Sequence, residues 1–192
     1  MQKAIFSFLL RLSGWKMALP VPEGTDRCVM VAAPHTSNWD FYYTILAFRV
    51  MDIPLRFTIK KSWMRFPFNL LIGPLGGLGI DRKPKAPGQA RPSYVEAMAE
   101  LFAQHQRLAV VVTPEGTRSP RDEWKTGFYY TALKAGVPIM LGYLNYQQKE
   151  AGVGGPIHPS GDLAADMRKI MDFYRDIPGH TPGNFLVDKR YG

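Results

Sequence analysis

The sequence predicts an α/β fold: a single domain with a mixed, mostly parallel sheet flanked by helices, preceded by an amphipathic N-terminal helix. Three observations predict it. Residues 28–33 (CVMVAA) and 108–113 (LAVVVT) are short, uninterrupted apolar runs, the pattern of strands buried on both faces. Such runs alternate along the chain with stretches of helical character. The 192 residues, 46% of them hydrophobic, are enough for one core, and no repeat or linker divides them.

Residues 1–18 form the first unit. At about 100° per residue, Lys3, Ser7, Arg11 and Gly14 line one narrow stripe, while Ile5, Phe6, Phe8, Leu9, Leu12 and Trp15 cover most of the rest. Such a helix either packs on the domain or lies on a membrane surface. It does not read as a signal peptide, because Arg11 interrupts a short apolar stretch and no small-x-small site follows. Residues 19–192 form the domain proper. After a loop over 20–26 and the strand at 28–33, residues 38–51 read as a helix that Ser37 or Asn38 can cap. Residues 55–60 suit a strand. Residues 62–72 look helical but break at Pro67, and a Gly-rich stretch, 73–79, follows. Residues 83–92 hold three prolines and read as a loop. Ser93 and Glu96 make a capping box for a helix over 94–106. Beyond the strand at 108–113, helices are expected over 127–135 and 163–175, and strands over 137–146 and 152–158.

The net charge is +8 and unevenly spread: residues 55–91 hold eight bases and a single acid, Asp81. A surface of this kind attracts polyanions, whether nucleic acid, an anionic bilayer or a phosphorylated substrate. No helix-turn-helix, zinc-finger or RNP-type signature accompanies the charge, so no nucleic-acid partner is expected. No apolar run reaches the roughly 20 residues of a membrane-spanning helix. The lone cysteine, Cys28, leaves no internal disulfide, and a reducing compartment is expected. Its place in an apolar strand points to inert burial.

Two segments can carry chemistry, each just past a buried strand, where ligands gather in α/β sheets. In the first, His35 precedes the helix that holds Asp40. On one continuous helix a spacing of five would set the side chains about 140° apart, but with His35 in the turn before the helix they can meet. A carboxylate on one imidazole nitrogen fixes the tautomer and leaves the other nitrogen free to accept a proton. No nucleophile neighbours the pair, so it suits a base that activates the substrate's own hydroxyl. Alone, such a pair is more often structural. In the second, Thr113-Pro114-Glu115-Gly116-Thr117-Arg118-Ser119 places an arginine beside glycine and hydroxyls, a combination that can grip phosphate, with Glu115 expected to hold Arg118. There is no Gly-x-Ser-x-Gly elbow, no P-loop ending and no complete dinucleotide fingerprint. His105, His158 and His180 have no metal-ligand spacing, and no metal is expected.

Four blocks in order resemble the glycerophospholipid acyltransferase family, the group that includes lysophosphatidic acid acyltransferases. They are His35-Thr36-Ser37-Asn38-Trp39-Asp40 (the His-x4-Asp motif), Gly79-Ile80-Asp81-Arg82 preceded by Lys60-Lys61, Pro114 to Ser119, and Val137-Pro138-Ile139. Pro34, Thr113 and Leu141 depart from the family's pattern and mark a divergent branch. The resemblance implies an O-acyltransferase of phospholipid biosynthesis that needs no cofactor beyond its co-substrate, an acyl thioester on coenzyme A or acyl carrier protein. His35 would be the general base and Asp40 its orienter. Arg118, with Arg82, Lys60 and Lys61, would bind the phosphate of a lysolipid acceptor, assisted by the backbone around Glu115, Gly116 and Thr117. The amphipathic helix and the basic stretch would dock the enzyme on an anionic membrane, as a cytoplasmic protein peripheral to the inner face. The competing expectation is a non-catalytic peripheral lipid-binding protein on the same fold, which would not need His35 paired with Asp40.

Overall fold

The computed structural model describes residues 2–80 and 92–192. At the centre of its sheet runs β2 (Arg27–Ala32), where Val29 and Val31 face one side, Cys28 and Met30 the other, and all four are fully buried. Its parallel neighbours are β5 (Leu108–Val112) and β6 (Ile139–Asn145). Outside β5 lie β3 (Leu55–Lys60) and β4 (Gly77–Ile80); outside β6 lie β7 (Glu150–Ile157) and a two-residue strand, β1 (Lys16–Met17). The order is β1-β7-β6-β2-β5-β3-β4, and every pairing is parallel except β6 with β7. The mixed, mostly parallel sheet expected from the sequence is therefore present.

Helices cover both faces. On the side of Val29 and Val31, α4 (Tyr94–Gln104), α5 (Gly127–Ala135) and α6 (Leu163–Tyr174) bury Met98, Phe102, Phe128, Met167 and Ile170 in the main core. On the other side, α2 (Trp39–Val50) lays Phe48 against Cys28, Met30 and Met140. Helix α1 (Gln2–Leu12) then packs on α2, with Leu10 and Trp15 against Leu46 and Ala47. Each fully buried side chain of this size stabilises the fold by roughly 1.5–3 kcal/mol. Ser93 and Glu96 cap α4 reciprocally, as their spacing predicts.

The structure sets the local elements more finely than the sequence in three places. The first helix stops at Leu12 rather than running to residue 18. There the Ser13 hydroxyl donates to the carbonyls of Leu9 and Leu10, and Gly14 takes a φ of 79° that turns the chain into β1. The Gly-rich stretch ends in strand β4. A methyl group on Gly77 would lie 2.2 Å from Ile72 Cγ2, so the absence of side chains is what lets this strand close under α3 (Asn69–Leu75). Residues 62–72 split, as Pro67 predicts, into a 3-10 turn at Lys61–Met64 and α3.

Helix α1 uses its two apolar faces differently. Leu10 is 1% exposed against the domain, whereas Ile5, Phe8 and Leu12 are 54%, 63% and 74% exposed on the outer face. Among the described residues no helix is long and apolar enough to cross a membrane.

Candidate active site

Three adjacent parallel strands end at the same edge of the sheet. Val31 of β2 pairs with Val112 of β5, and Ala32 with Gly142 of β6. The residues that follow each strand therefore meet: His35 after β2, Glu115 after β5 and Tyr146 after β6.

His35 occupies the turn before α2, and Asp40 the first turn of that helix, so the two side chains meet as their spacing requires. His35 Nδ1 lies 3.3 Å from Asp40 Oδ2, with the imidazole 19% exposed and the carboxylate 6%. The same oxygen accepts the backbone N–H groups of Thr36 (2.7 Å) and Ser37 (2.8 Å). The Tyr146 hydroxyl donates to Oδ1 at 2.7 Å. Burial pushes the Asp40 carboxyl up, but the bonds from His35, Tyr146, Ser37 and Thr36 outweigh it and hold the group below the usual carboxylate range. A fixed anion on Nδ1 makes that nitrogen the donor and turns Nε2 outward as an acceptor. Helix α2 begins at this turn without a side-chain cap from Asn38, although Ser37 Oγ accepts the Trp39 N–H at 3.2 Å.

Glu115 does not hold Arg118. Its side chain is 6% exposed and turns inward, where Oε1 accepts the backbone N–H of His35 at 2.9 Å. Burial raises its carboxyl above the ordinary value, against the lowering effect of that bond. The buried Oε2 has no hydrogen-bond partner among the described residues. Arg118 is exposed and has no ion-pair partner among the described residues. The physical reason is the direction of β5: the first residues past the strand stay on the sheet edge, and the turn carries Arg118 out to solvent. Thr117 shapes that turn, its hydroxyl accepting the Ser119 N–H at 3.3 Å.

Gly116 has a φ of 66°, a conformation that favours glycine. A methyl group there would stand 2.7 Å from Lys125 Nζ, so the ammonium of Lys125 overhangs the loop. The Lys125 backbone N–H also donates to the Pro114 carbonyl at 3.0 Å. The sequence reading missed both Lys125 and Tyr146, because neither belongs to a block that marks the site. Lys60 is the last residue of β3 and Lys61 opens the 3-10 turn. Arg82 lies outside the described residues.

An apolar cleft runs from His35 beneath α2. Its walls come from α2 (Phe41, Thr44, Ile45, Phe48) and its floor from the strands (Ala32, Val111, Gly142, Ala151). The small residues at 32, 142 and 151 let α2 approach the strands closely, and a methyl group on Gly142 would stand 3.2 Å from Phe48 Cζ. Cys28, by contrast, is fully buried with its thiol pushed up to about 12 by burial and Asp26, so it is inert as expected. His105 is exposed, and no group of three metal-ligating side chains occurs among the described residues.

A family model described as acyltransferase matches residues 19–140. The 1-acyl-sn-glycerol-3-phosphate acyltransferase of Salmonella typhimurium (strain LT2) is 30% identical over 142 residues, covering 71% of this chain and 55% of that protein. The Escherichia coli (strain K12) protein of the same name is 29% identical with the same coverage. The chain thus spans about half the length of the curated relatives it matches. Among solved structures, the 1-acyl-sn-glycerophosphate (LPA) acyltransferase PlsC from Thermotoga maritima matches with a TM-score of 0.53 at 20% identity, over 87% of this chain and 72% of that one. At this identity the likeness is one of fold.

Proposed function

The chain belongs to the acyltransferase family, and from that premise we propose that it transfers a fatty acyl group from a thioester to the hydroxyl of a lysophospholipid acceptor. The observation that carries this reading is the position of the His35–Asp40 pair at the mouth of the apolar cleft under α2. A hydrocarbon chain seated in the cleft sets its carbonyl carbon beside Nε2. The acceptor oxygen attacks that carbon while Nε2 takes its proton. Collapse of the tetrahedral intermediate breaks the C–S bond, and the imidazolium gives its proton to the departing thiolate, which leaves as free thiol. Asp40 stabilises the imidazolium in between. Positioned base catalysis of this kind contributes ~10²–10⁴-fold, and no covalent enzyme intermediate is needed because the thioester is already activated.

The donor is an acyl thioester of coenzyme A or of acyl carrier protein, and the acceptor is lysophosphatidic acid, the latter in keeping with the names of the relatives. Arg118 and Lys125, on either side of the Gly116 turn, supply positive charge for the acceptor's phosphate. The outward face of α1, with Ile5, Phe8 and Leu12, supports a peripheral seat on the bilayer that holds acceptor and product. By charge this is the anionic inner leaflet.

The test is release of free thiol from palmitoyl-coenzyme A and palmitoyl-acyl carrier protein in the presence of lysophosphatidic acid. Acceptor-dependent release that falls at least 100-fold in His35→Ala is the expected result. Acceptor binding without release from either donor would overturn it in favour of a lipid-binding role.

A further inference from the structure

We propose that Tyr146 is a positioning residue for the base, its hydroxyl holding the Asp40 carboxylate in register with His35. The inference rests on the reading of His35 and Asp40 as the acid–base pair, and deepens it. The two oxygens of Asp40 have separate duties. Oδ2 faces His35 Nδ1 and the Thr36 and Ser37 N–H groups, while Oδ1 is engaged by Tyr146 from 106 residues away. A carboxylate held on one oxygen alone can turn about its Cβ–Cγ bond. A strong donor on the second oxygen stops that rotation and keeps Oδ2 on the imidazole.

The phenol is suited to this in direction and in protonation. Its ring is fixed edge-on by Trp15 (centroids 5.0 Å) and by His180 (5.0 Å), and its backbone N–H donates to the Pro178 carbonyl at 3.3 Å. Burial, with the hydrogen bond to Asp40 and its charge, pushes the hydroxyl up, so it remains a donor across the working range. Outer partners that orient a reacting group are commonly worth about 10–100-fold in activity, and loss of the correct histidine tautomer has larger effects. Tyr146 thus acts on the substrate only through Asp40 and His35.

Tyr146→Phe keeps the ring contacts and removes only the hydroxyl. Its acyl transfer from palmitoyl-coenzyme A to lysophosphatidic acid is expected to fall roughly tenfold in kcat, with both KM values within about twofold of wild type. Nitrogen NMR of the histidine side chains is expected to find His35 protonated on Nδ1 in the wild type and as a mixture of tautomers in the variant. Added to Asp40→Asn, Tyr146→Phe should cost nothing further. An unchanged His35 tautomer with unchanged kcat, or losses that simply multiply in the double variant, would overturn the proposal. If the wild type transfers no acyl group, the proposed reaction fails, and the tautomer alone decides the role of Tyr146.

Discussion

Glu115 Oε1 accepts the backbone N–H of His35 at 2.9 Å, although the two residues stand 80 positions apart in the chain. The contact follows from register: β2 and β5 run parallel, with Val31 opposite Val112, so the third residue past each strand arrives at one edge. Two sequence blocks that look independent are thus physically joined, and Glu115 sets the height of the His35 turn.

The bond needs an acceptor rather than a charge, and Glu115→Gln retains one. Glu115→Ala leaves the His35 N–H unpartnered in a partly buried place, which costs about 1 kcal/mol, the low end for an unmet buried donor. Thiol release is expected to stay within about tenfold of wild type in the glutamine variant and to fall further in the alanine variant.

The pH dependence has a definite sign. Because burial raises the Glu115 carboxyl above its ordinary 4.5, the native state keeps a proton that the unfolded chain gives up. Its contribution to stability is fully present below the unfolded value and is lost as pH rises through the folded one. Denaturant midpoints measured from about pH 4 upward should therefore fall in the wild type relative to Glu115→Gln.

Asp166 gives the opposite sign at a site remote from the chemistry. Fully buried, it accepts from Tyr129 Oη, from the N–H and hydroxyl of Ser160, and from Lys169. Burial pushes its carboxyl up, but these bonds prevail and lower it from 3.8 to about 2. Its stabilisation is present above the unfolded value and lost as pH falls toward the folded one. Acid titration of stability should show a limb between about pH 4 and pH 2 that is weaker in Asp166→Asn, with thiol release at neutral pH unchanged.

Much of the fold was legible because its signals are local. The apolar runs at 28–33 and 108–113 and the Ser93/Glu96 box each act within a few residues, and each is where the sequence placed it. The His35–Asp40 pair was legible for the same reason. What escaped depends on pairing across the sheet. Strand β1 is two residues long and exists through its partner Glu150–Ala151. Tyr146 matters through Asp40, and Lys125 through the turn at Gly116. Glu115 was placed in the site, but its partner was misread, because nearness to Arg118 in sequence suggested an ion pair that the exit of β5 prevents.

The cleft under α2 offers a direct reading of acyl specificity. Thr44 is a half-buried residue of the cleft wall, facing a floor that includes Ala32, Gly142 and Ala151. Thr44→Phe adds a ring to that cleft. If the acyl chain lies there, kcat/KM for palmitoyl-coenzyme A should fall about tenfold while that for octanoyl-coenzyme A changes little, a separation of about 1.4 kcal/mol between the two donors. Equal losses with both donors would place the chain elsewhere.

The C-terminal segment reaches the His35 turn through one close approach. Gly179 is buried against Pro34 and Thr36, and a methyl group on it would stand 2.8 Å from Thr36 Oγ1, 2.9 Å from Thr36 Cγ2 and 3.0 Å from Pro34 Cβ. Thr36 Oγ1 accepts the Thr181 N–H at 3.2 Å, and the Thr36 N–H is one of the donors that hold Asp40. Gly179→Ala must therefore displace the turn that carries His35, and overpacking of this kind costs about 1–3 kcal/mol. Gly183, four residues on, has nothing within 4 Å of an added methyl group. Thermal unfolding and thiol release measured side by side should find Gly183→Ala near wild type in both, and Gly179→Ala lowered in both. Activity should remain depressed at temperatures where the variant is fully folded, because the displaced Thr36 no longer fixes Asp40. Full recovery of activity in the folded variant would mean that the segment stabilises the chain without setting the geometry of His35.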